Sequence, residues 1–469
     1  MVIEQIYTGC LAQGAYYIES DGEAAVIDPL REVKPYLARA ARSGANIRYV
    51  FETHFHADFV SGHVDLSRLT GAPVVYGPSA QPGFDALVAT DGQVFPLGKV
   101  QIKLLHTPGH TMESASYLLI DEHGTPTALF SGDTLFIGDV GRPDLAQKAA
   151  GLTQEELAGI LYDSLQNTIL PLPDDVVVYP GHGAGSACGK NMSRETTDTL
   201  GHQKAVNYAL RKGITRDEFI REVTAGLMPP PAYFPLNVQL NKQGYDSFDA
   251  VLDRALRPLD ALAFEAASQD PDVLVLDTRR PDVFVAGFVP GAINIGLKGS
   301  FAPWAGALIP DLKQRILLIT DIDTEEEAIT RLARVGLDGV EGYLQGGFET
   351  WKTAGKAIDS IASITAGALA ALPKPQHLLD VRKQNEFNSQ HVLGAENMPL
   401  DTINDHFSEL DSRQSYFVHC AGGYRSVIFI SILQARGYRH LINVQGGFDV
   451  MKKMDTFALS PFVCPTSML

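Results

Sequence analysis

The sequence is poor in cysteine and in basic residues, and it has no long apolar run. Only four of its 469 residues are cysteine, which is too few for a disulfide framework and favours a reducing cytoplasm. Acidic residues outnumber basic ones by 55 to 38, for a net charge of −17, which argues against nucleic-acid binding. No apolar stretch approaches the roughly 18 residues of a membrane span, and no signal peptide is expected.

Short apolar segments with strand character alternate with helix-like segments over residues 1–245. The strand-like segments each precede Gly, Asp, Pro or His, and they cover residues 24–27, 47–51, 73–76, 100–105, 116–120, 128–130 and 176–179. Helix-like patterns cover residues 30–43 and 154–166. This alternation predicts a layered α/β domain with its functional groups in loops at strand ends. The proline-rich segment 228–235 is expected to run extended and to close the domain.

The rest of the chain contains an internal repeat. Asp277 precedes the Gly-Ala pair at Gly291 by 14 residues, and Asp380 precedes the Gly-Ala pair at Gly394 by the same 14. A Gln-Gly-Gly-Phe motif follows in both copies. Because short strands alternate with helices in both, we expect two small parallel α/β domains, 246–362 and 363–469, with a linker at 371–376.

Four polar motifs follow strand-like segments in the N-terminal domain. They are Thr53-His54-Phe55-His56-Ala57-Asp58-Phe59, Thr107-Pro108-Gly109-His110, Ser131-Gly132-Asp133 and Tyr179-Pro180-Gly181-His182. A single histidine is usually a hydrogen-bonded core or loop residue. Four such motifs at strand ends are hard to assign to packing, and they predict a metal site.

These motifs resemble those of the metallo-β-lactamase superfamily, whose His-x-His-x-Asp-His motif and later His, Asp and His hold one or two metals. The resemblance implies an αββα sandwich. One position departs from the pattern, because Phe59 stands where the last histidine of the motif is expected. A phenyl ring cannot ligate, so a second metal beside Asp58 and His182 loses a ligand, which argues against two-metal hydrolysis.

Within the superfamily, Gly-Arg-Pro-Asp at 141–144, shortly after Asp133, resembles the persulfide dioxygenases. In that family two histidines and one aspartate bind iron, which implies one Fe(II) per chain on His54, His110 and Asp133. Two imidazoles and one carboxylate leave positions open for O₂ and substrate.

Several residues near these expected ligands also need a role. His56, Asp58 and His182 match other metal positions of the superfamily, and we expect them to orient the ligands. Whether His56 itself touches the metal stays open. Arg142 is either a salt-bridge residue or a clamp for the substrate, and Cys188 is either a small buried residue or a thiol of the substrate pocket.

The second copy of the repeat contains a strand-like segment that ends on Cys420, followed by a short loop and an apolar helix at 427–435. The loop residues between Cys420 and Arg425 are Ala421, Gly422, Gly423 and Tyr424. Backbone N–H groups at a helix N-terminus stabilise a thiolate and can cradle an added sulfur, and Arg425 adds positive charge.

This Cys-x4-Arg loop resembles that of the rhodanese family of sulfurtransferases, whose cysteine carries a persulfide. The first copy has no cysteine, and acidic residues beginning with Asp321 stand after the equivalent strand. We therefore expect the first copy to be a rhodanese-like domain without catalysis.

Over nearly the whole chain, the sequence resembles bacterial fusions of a persulfide dioxygenase with a sulfurtransferase. That resemblance implies O₂-dependent oxidation of a thiol persulfide, carried by glutathione, coenzyme A or a similar thiol, to sulfite, and sulfur transfer through Cys420 to or from thiosulfate. The alternatives are a di-zinc glyoxalase II-like thioester hydrolase and a non-catalytic sulfur-carrier or sensor scaffold. No nucleic acid or membrane partner is expected, and the sequence is compatible with a homo-oligomer.

Overall fold

A computed structural model describes residues 1–373 and 377–464 of the chain. Residues 374–376 of the expected linker and 465–469 lie outside the described residues. The chain divides into two compact units, the first comprising Met1–Phe248 with the short segment Ala333–Gly336, and the second comprising the remainder. No described helix combines the length and apolarity that a membrane crossing requires.

The first unit, whose residues are all described, contains two six-stranded sheets. The strands of the first sheet lie in chain order: β1 (Val2–Thr8), β2 (Gln13–Ser20), β3 (Glu23–Ile27), β4 (Asn46–Phe51), β5 (Val74–Tyr76) and β6 (Leu87–Val88). The second sheet contains β7 (Val94–Leu97), β8 (Val100–His106), β9 (Ala115–Ile120), β10 (Pro126–Gly132), β11 (Val177–Pro180) and β12 (Asp198–Thr199). The pairs β3–β4, β4–β5, β5–β6 and β10–β11 are parallel, and the other pairs are antiparallel.

The α-helices of the first unit include those of the two outer layers of the sandwich. They are α1 (Lys34–Ser43), α2 (His63–Thr70), α3 (Gln147–Ala150), α4 (Gln154–Ser164), α5 (Leu200–Val206), α6 (Arg216–Thr224) and α7 (Phe234–Gln243), with α8 (Phe248–Ala255) at the unit boundary. Tyr16 and Phe130 belong to the core between the sheets. Tyr36 of α1 belongs to the core outside the first sheet, and Phe219 of α6 to the core outside the second. These layers confirm the αββα sandwich.

Helix ends show where local chemistry shifts the expected boundaries. The first expected helix begins at Lys34 rather than at residue 30, because Leu30 forms a β-bridge with Ser61 and its N–H donates to the Tyr36 hydroxyl. Helix α4 begins where expected, since Thr153 forms a capping box with Glu156.

Within its described residues, the second unit contains two five-stranded parallel sheets of identical topology. The first, in the order β13-β17-β16-β14-β15, contains β13 (Pro258–Leu259), β14 (Val273–Asp277), β15 (Ile293–Asn294), β16 (Arg315–Ile319) and β17 (Val340–Leu344). The second, in the order β18-β22-β21-β19-β20, contains β18 (Ser363–Thr365), β19 (Leu378–Asp380), β20 (Ala395–Asn397), β21 (Tyr416–His419) and β22 (Leu441–Gln445).

The connecting helices also repeat. They are α9 (Ala261–Ser268), α10 (Pro281–Phe284), α11 (Phe301–Leu308), α12 (Glu325–Ala333), α13 (Gly347–Thr353), α14 (Ala366–Ala370), α15 (Gln384–Ser389), α16 (Ile403–His406), α17 (Tyr424–Ala435) and α18 (Gly447–Met451). The repeated Asp-x-Arg motif has a structural role in both copies. Asp380 forms a buried ion pair with Arg382 at 2.6 Å, and the guanidinium lies over the Phe448 ring.

Candidate metal centre and sulfur-transfer loop

Three loops at strand ends bring His54, His110 and Asp133 together. His54 follows β4, His110 follows β8 and Asp133 follows β10. Their donor atoms all lie within 4.8 Å of one another. The Nε2 atoms of His54 and His110 are 3.8 and 3.4 Å from Asp133 Oδ2.

Both imidazoles are held from behind, so their Nε2 atoms face the carboxylate. The Thr53 hydroxyl donates to Asp28 Oδ2 at 2.8 Å. Thr53 Oγ1 can therefore accept a hydrogen bond from His54 Nδ1, which lies 3.0 Å away. His110 Nδ1 donates to the Arg142 carbonyl at 2.9 Å. Each histidine therefore carries its proton on Nδ1 and keeps the Nε2 lone pair available for a metal.

One oxygen of the Asp133 carboxylate, which lies near both imidazoles, makes no hydrogen bond within the described part of the chain. Asp133 Oδ2 is buried and has no hydrogen-bond partner among residues 1–373 and 377–464. A buried anionic oxygen is costly without a partner. Two imidazole lone pairs and this oxygen are the donor set that a divalent transition metal fits.

The other oxygen of Asp133 is positioned by His182. Its Nδ1 lies 2.8 Å from Asp133 Oδ1, and its Nε2 lies 2.8 Å from Asp58 Oδ2. Burial, the largest single effect, opposes charge on the imidazole, but the two carboxylates outweigh it and hold the pKa of His182 well above its usual range. His182 therefore orients both acids.

His56 turns away from the His54–His110–Asp133 group. Its Nε2 lies 3.0 Å from Asp28 Oδ1 and 3.5 Å from Glu52 Oε2. Burial lowers the pKa of His56, but the neighbouring carboxylates outweigh burial and raise it to about 9. This geometry pairs His56 with acids that sequence analysis did not single out. Their signal was their position at the ends of β3 and β4.

The side chain at position 59 packs against His56. The Phe59 ring is fully buried, and its centroid lies 4.4 Å from that of the His56 imidazole. An apolar ring thus fills the place where the superfamily motif has its last histidine. The possible donor atoms of Asp58, His182 and Cys188 form a second group, in which all of them lie within 4.8 Å of one another.

Arg142 is buried and fully engaged by protein groups. It forms a bidentate pair with Asp144 at 2.6 and 2.7 Å, and it donates to the carbonyls of Ala187 and Met228. Its own carbonyl orients His110, so the structure assigns it a positioning contact. Its role as a substrate clamp stays a prediction, and so does the pocket role of Cys188, whose pKa is raised well above its usual range by burial.

Two glycines, Gly141 and Gly181, allow their loops to pack closely against Asp133. A Cβ on Gly181 would stand 2.6 Å from Asp133 Oδ1, and a Cβ on Gly141 would stand 1.9 Å from the Asp133 carbonyl. Both distances are far below van der Waals contact. The glycine before His182 and the glycine before Arg142 were the sequence signals for this packing.

In the second unit, Cys420 follows β21 at the start of a tight loop. The Gly423 N–H donates to Cys420 Sγ at 3.1 Å, and the φ of Gly423 is 107°. Arg425 forms a bidentate pair with Glu386 at 2.5 and 2.9 Å. The loop therefore supplies the thiol with a backbone donor, while Arg425 shares its charge with an acid.

The first copy keeps this loop but not its chemistry. The Thr278 N–H donates to the Ile319 carbonyl, as the Val381 N–H does to the His419 carbonyl. Thr320, the residue after Ile319, therefore stands where Cys420 stands in the second copy. The expectation that Asp321 fills this place was wrong by one residue.

Comparisons with known proteins agree with this architecture. The metallo-beta-lactamase superfamily model matches residues 8–182, and the rhodanese-like domain model matches residues 260–354 and 365–454. A crystal structure of a metallo-beta-lactamase from Staphylococcus aureus subsp. aureus COL is 31% identical, with a TM-score of 0.65. It covers 73% of this chain, and this chain covers 98% of it. The chain belongs to the metallo-beta-lactamase superfamily.

Further known proteins are similar to part of the chain. A hydroxyacylglutathione hydrolase from Polaromonas sp. is 35% identical over 189 residues, 39% of this chain and 66% of the relative. This chain therefore spans just under two thirds of that relative. The crystal structure of ETHE1 from Myxococcus xanthus is 29% identical and covers 52% of this chain and 99% of its own, with a TM-score of 0.45.

Proposed function

We propose that the N-terminal domain oxidises a low-molecular-weight thiol persulfide with O₂ at one Fe(II), and that Cys420 transfers sulfane sulfur. The oxidation consumes one persulfide, one O₂ and one water and yields one thiol and one sulfite. The observation that carries the proposal is the His54–His110–Asp133 group, in which one buried carboxylate oxygen lacks a partner among the described residues.

The chain's own residues prepare this site before a metal binds. Thr53 and the Arg142 carbonyl fix the tautomers of His54 and His110. His182 holds Asp133 by its other oxygen. When bound, Fe(II) would supply the redox chemistry by which O₂ reacts with sulfur. Two histidines and one aspartate leave more open positions than a four-ligand structural zinc site does, which argues against the scaffold alternative.

The sulfur-transfer step follows from the Cys420 loop. The Cys420 thiolate attacks the sulfane sulfur of a persulfide, the donor thiolate leaves, and a cysteine persulfide forms. Sulfite then attacks the terminal sulfur, forming thiosulfate and restoring the thiolate. The Gly423 nitrogen lies 3.1 Å from Sγ. Its N–H stabilises the thiolate both before the persulfide forms and after sulfite has removed the sulfur. The reverse direction uses the same contacts.

We place this chemistry in a reducing cytoplasm, because Cys10, Cys188 and Cys420 lie outside any disulfide. Glutathione, coenzyme A or a similar small thiol is the carrier we propose. Sulfide detoxification is the biological role that this pair of reactions suits.

A hydrolase is the second candidate function. It is supported by the 35% identity to a hydroxyacylglutathione hydrolase and by a second group of buried donors on Asp58, His182 and Cys188. Two-metal hydrolysis needs a second fixed ion. The buried Phe59 ring offers no ligand to that ion, and this is why we favour oxidation.

Metal analysis combined with two assays separates the candidates. The purified chain is analysed for iron and zinc, and is then given either glutathione persulfide with O₂ or S-lactoylglutathione. One iron per chain with O₂ uptake supports the dioxygenase. Two metal ions per chain with thioester hydrolysis and no O₂ uptake would support the hydrolase.

A further inference from the structure

Helix α17, which begins directly behind the Cys420 loop, is buried on every side. Nine consecutive residues, from Ser426 to Gln434, are buried. A helix that covers one face of a sheet normally buries one stripe and exposes the opposite one. All-round burial of α17 therefore requires a second layer on its outer face.

The first rhodanese-like repeat supplies this layer. Helix α17 packs against β15, the edge strand of the first repeat's sheet. The backbone N–H of Asn294 in β15 donates to Ser431 Oγ at 2.9 Å. Both repeats belong to the same compact unit. The repeat without a cysteine thus forms part of the packing behind the catalytic loop.

Tyr424, a residue of the Cys420 loop, contacts the segment just after β15. Its hydroxyl donates to the Gly296 carbonyl at 2.8 Å. A Cβ on Gly296 would stand 3.3 Å from Tyr424 Cε2, and a Cβ on Gly299 would stand 3.6 Å from the same atom. Burial raises the pKa of Tyr424 well above its usual range, so the phenol stays protonated and keeps its donor.

This contact lies next to the reacting sulfur. Gly423 donates its N–H to Cys420 Sγ and adopts a φ of 107°, a conformation that few residues other than glycine adopt. Tyr424 follows it directly, so anchoring the Tyr424 ring restricts the direction of the Gly423 N–H. In the first repeat the equivalent Thr324 instead bonds within its own loop, to the Asp321 carbonyl at 2.8 Å.

We propose that the first repeat positions the catalytic loop of the second through the contact surface that Gly296 and Gly299 offer to Tyr424. This inference rests on the proposed sulfur transfer at Cys420. It gives the non-catalytic repeat a defined task, which is to hold Tyr424 so that the Gly423 N–H meets Sγ. Tyr424 and Gly296 are accordingly positioning residues.

Two variants of the full chain test the contact between Tyr424 and the first repeat. Gly296→Ala places a methyl group 3.3 Å from both Tyr424 Cε2 and Pro281 Cδ, whereas Tyr424→Phe removes only the hydroxyl. Gly367→Ala is the control for the first, because a Cβ there meets only Met454 Cε at 3.9 Å. Tyr438→Phe is the control for the second, because it also loses one hydroxyl–carbonyl bond, to Phe407 at 3.1 Å.

The readouts are kcat and KM for transfer from thiosulfate to a thiol, and the pH profile of Cys420 alkylation followed by mass spectrometry of its peptide. We expect Gly296→Ala to lower kcat and the alkylation rate about tenfold, and Tyr424→Phe about threefold, since small misplacements of reacting groups are costly. KM and persulfide-dependent O₂ uptake should stay within about twofold of wild type, as should all readouts of the controls.

The inference fails if both variants keep the wild-type kcat and alkylation profile, or if O₂ uptake falls in parallel, which would indicate a general folding defect. Failure of the proposed function looks different. In that case the wild-type chain transfers no sulfur, while Gly296→Ala still slows Cys420 alkylation. This result would support the positioning of the loop by the first repeat and reject the proposed sulfur transfer.

Discussion

Thr320 in the first rhodanese-like repeat occupies the position that Cys420 occupies in the second. Each is the residue directly after the central strand, β16 or β21. A Cβ on Gly347 would stand 2.7 Å from the Thr320 carbonyl, and a Cβ on Gly447 would stand 2.3 Å from the Cys420 carbonyl. The loops also have the same backbone turn three residues later, where Asp323 has a φ of 65°.

A cysteine at this position should not be sufficient for catalysis. In the background of Cys420→Ser, we expect Thr320→Cys to transfer sulfur at less than about one hundredth of the wild-type rate, because Glu325 replaces Arg425 and repels anionic sulfur donors. Adding Glu325→Arg should give a measurable cysteine persulfide at position 320. The measurement is intact-mass detection of the added sulfur together with thiosulfate turnover. Near-wild-type turnover by Thr320→Cys without Glu325→Arg would show that loop charge is unimportant.

The metal ligands can be tested by truncation. His54→Ala, His110→Ala and Asp133→Ala should each lower bound iron at least about tenfold and abolish O₂ uptake, because two remaining protein ligands hold Fe(II) poorly. His123→Ala is the control, since its side chain is 78% exposed. Full iron and full O₂ uptake in any of the three variants would remove that residue from the ligand set.

The Phe59 ring should decide the number of metal ions. We expect Phe59→His to bind a second ion near Asp58 and His182 under excess zinc or iron, because it restores an imidazole to the superfamily motif. Phe55→His is the control, since that ring packs against Tyr76 at 4.7 Å between centroids. Metal content by mass spectrometry checks the prediction. A single ion in Phe59→His under these conditions would mean that another feature keeps the site mononuclear.

Cys420 should carry the transferred sulfur. Cys420→Ser keeps the size of the side chain but cannot form a persulfide, so we expect O₂ uptake to continue while sulfite accumulates in place of thiosulfate. Thiosulfate:thiol transfer should vanish. Cys464→Ser is the control, and we expect it to keep both activities. If Cys420→Ser still forms thiosulfate enzymatically, after the non-enzymatic reaction is subtracted, sulfur leaves by another thiol.

Local patterns were enough to predict much of the fold. The expected segment 47–51 matches β4 and the expected segment 116–120 matches β9, each to within one residue, because apolar alternation and flanking turn residues are local signals. The repeat predicted two small parallel α/β domains, and its landmark residues Asp277 and Asp380 end the equivalent strands β14 and β19.

Contacts between distant segments could not be predicted. His56 was placed near the metal by its motif, but its partner Asp28 follows a different strand, β3, and only the folded sheet brings the two side chains to 3.0 Å. The loop register was misjudged at Thr320 for a related reason. Strand pairing sets that register, and the acidic residues after the strand carry the stronger sequence signal.

The stoichiometry of aerobic glutathione persulfide oxidation tests the central claim most directly. With the iron-loaded Cys420→Ser variant, which should not divert sulfite to thiosulfate, we predict one O₂ consumed and one sulfite formed for each persulfide oxidised. Sulfite is trapped and quantified while an oxygen electrode follows O₂. Loss of persulfide without O₂ uptake, or O₂ uptake without sulfite, would contradict the assignment of His54, His110 and Asp133 to a persulfide dioxygenase.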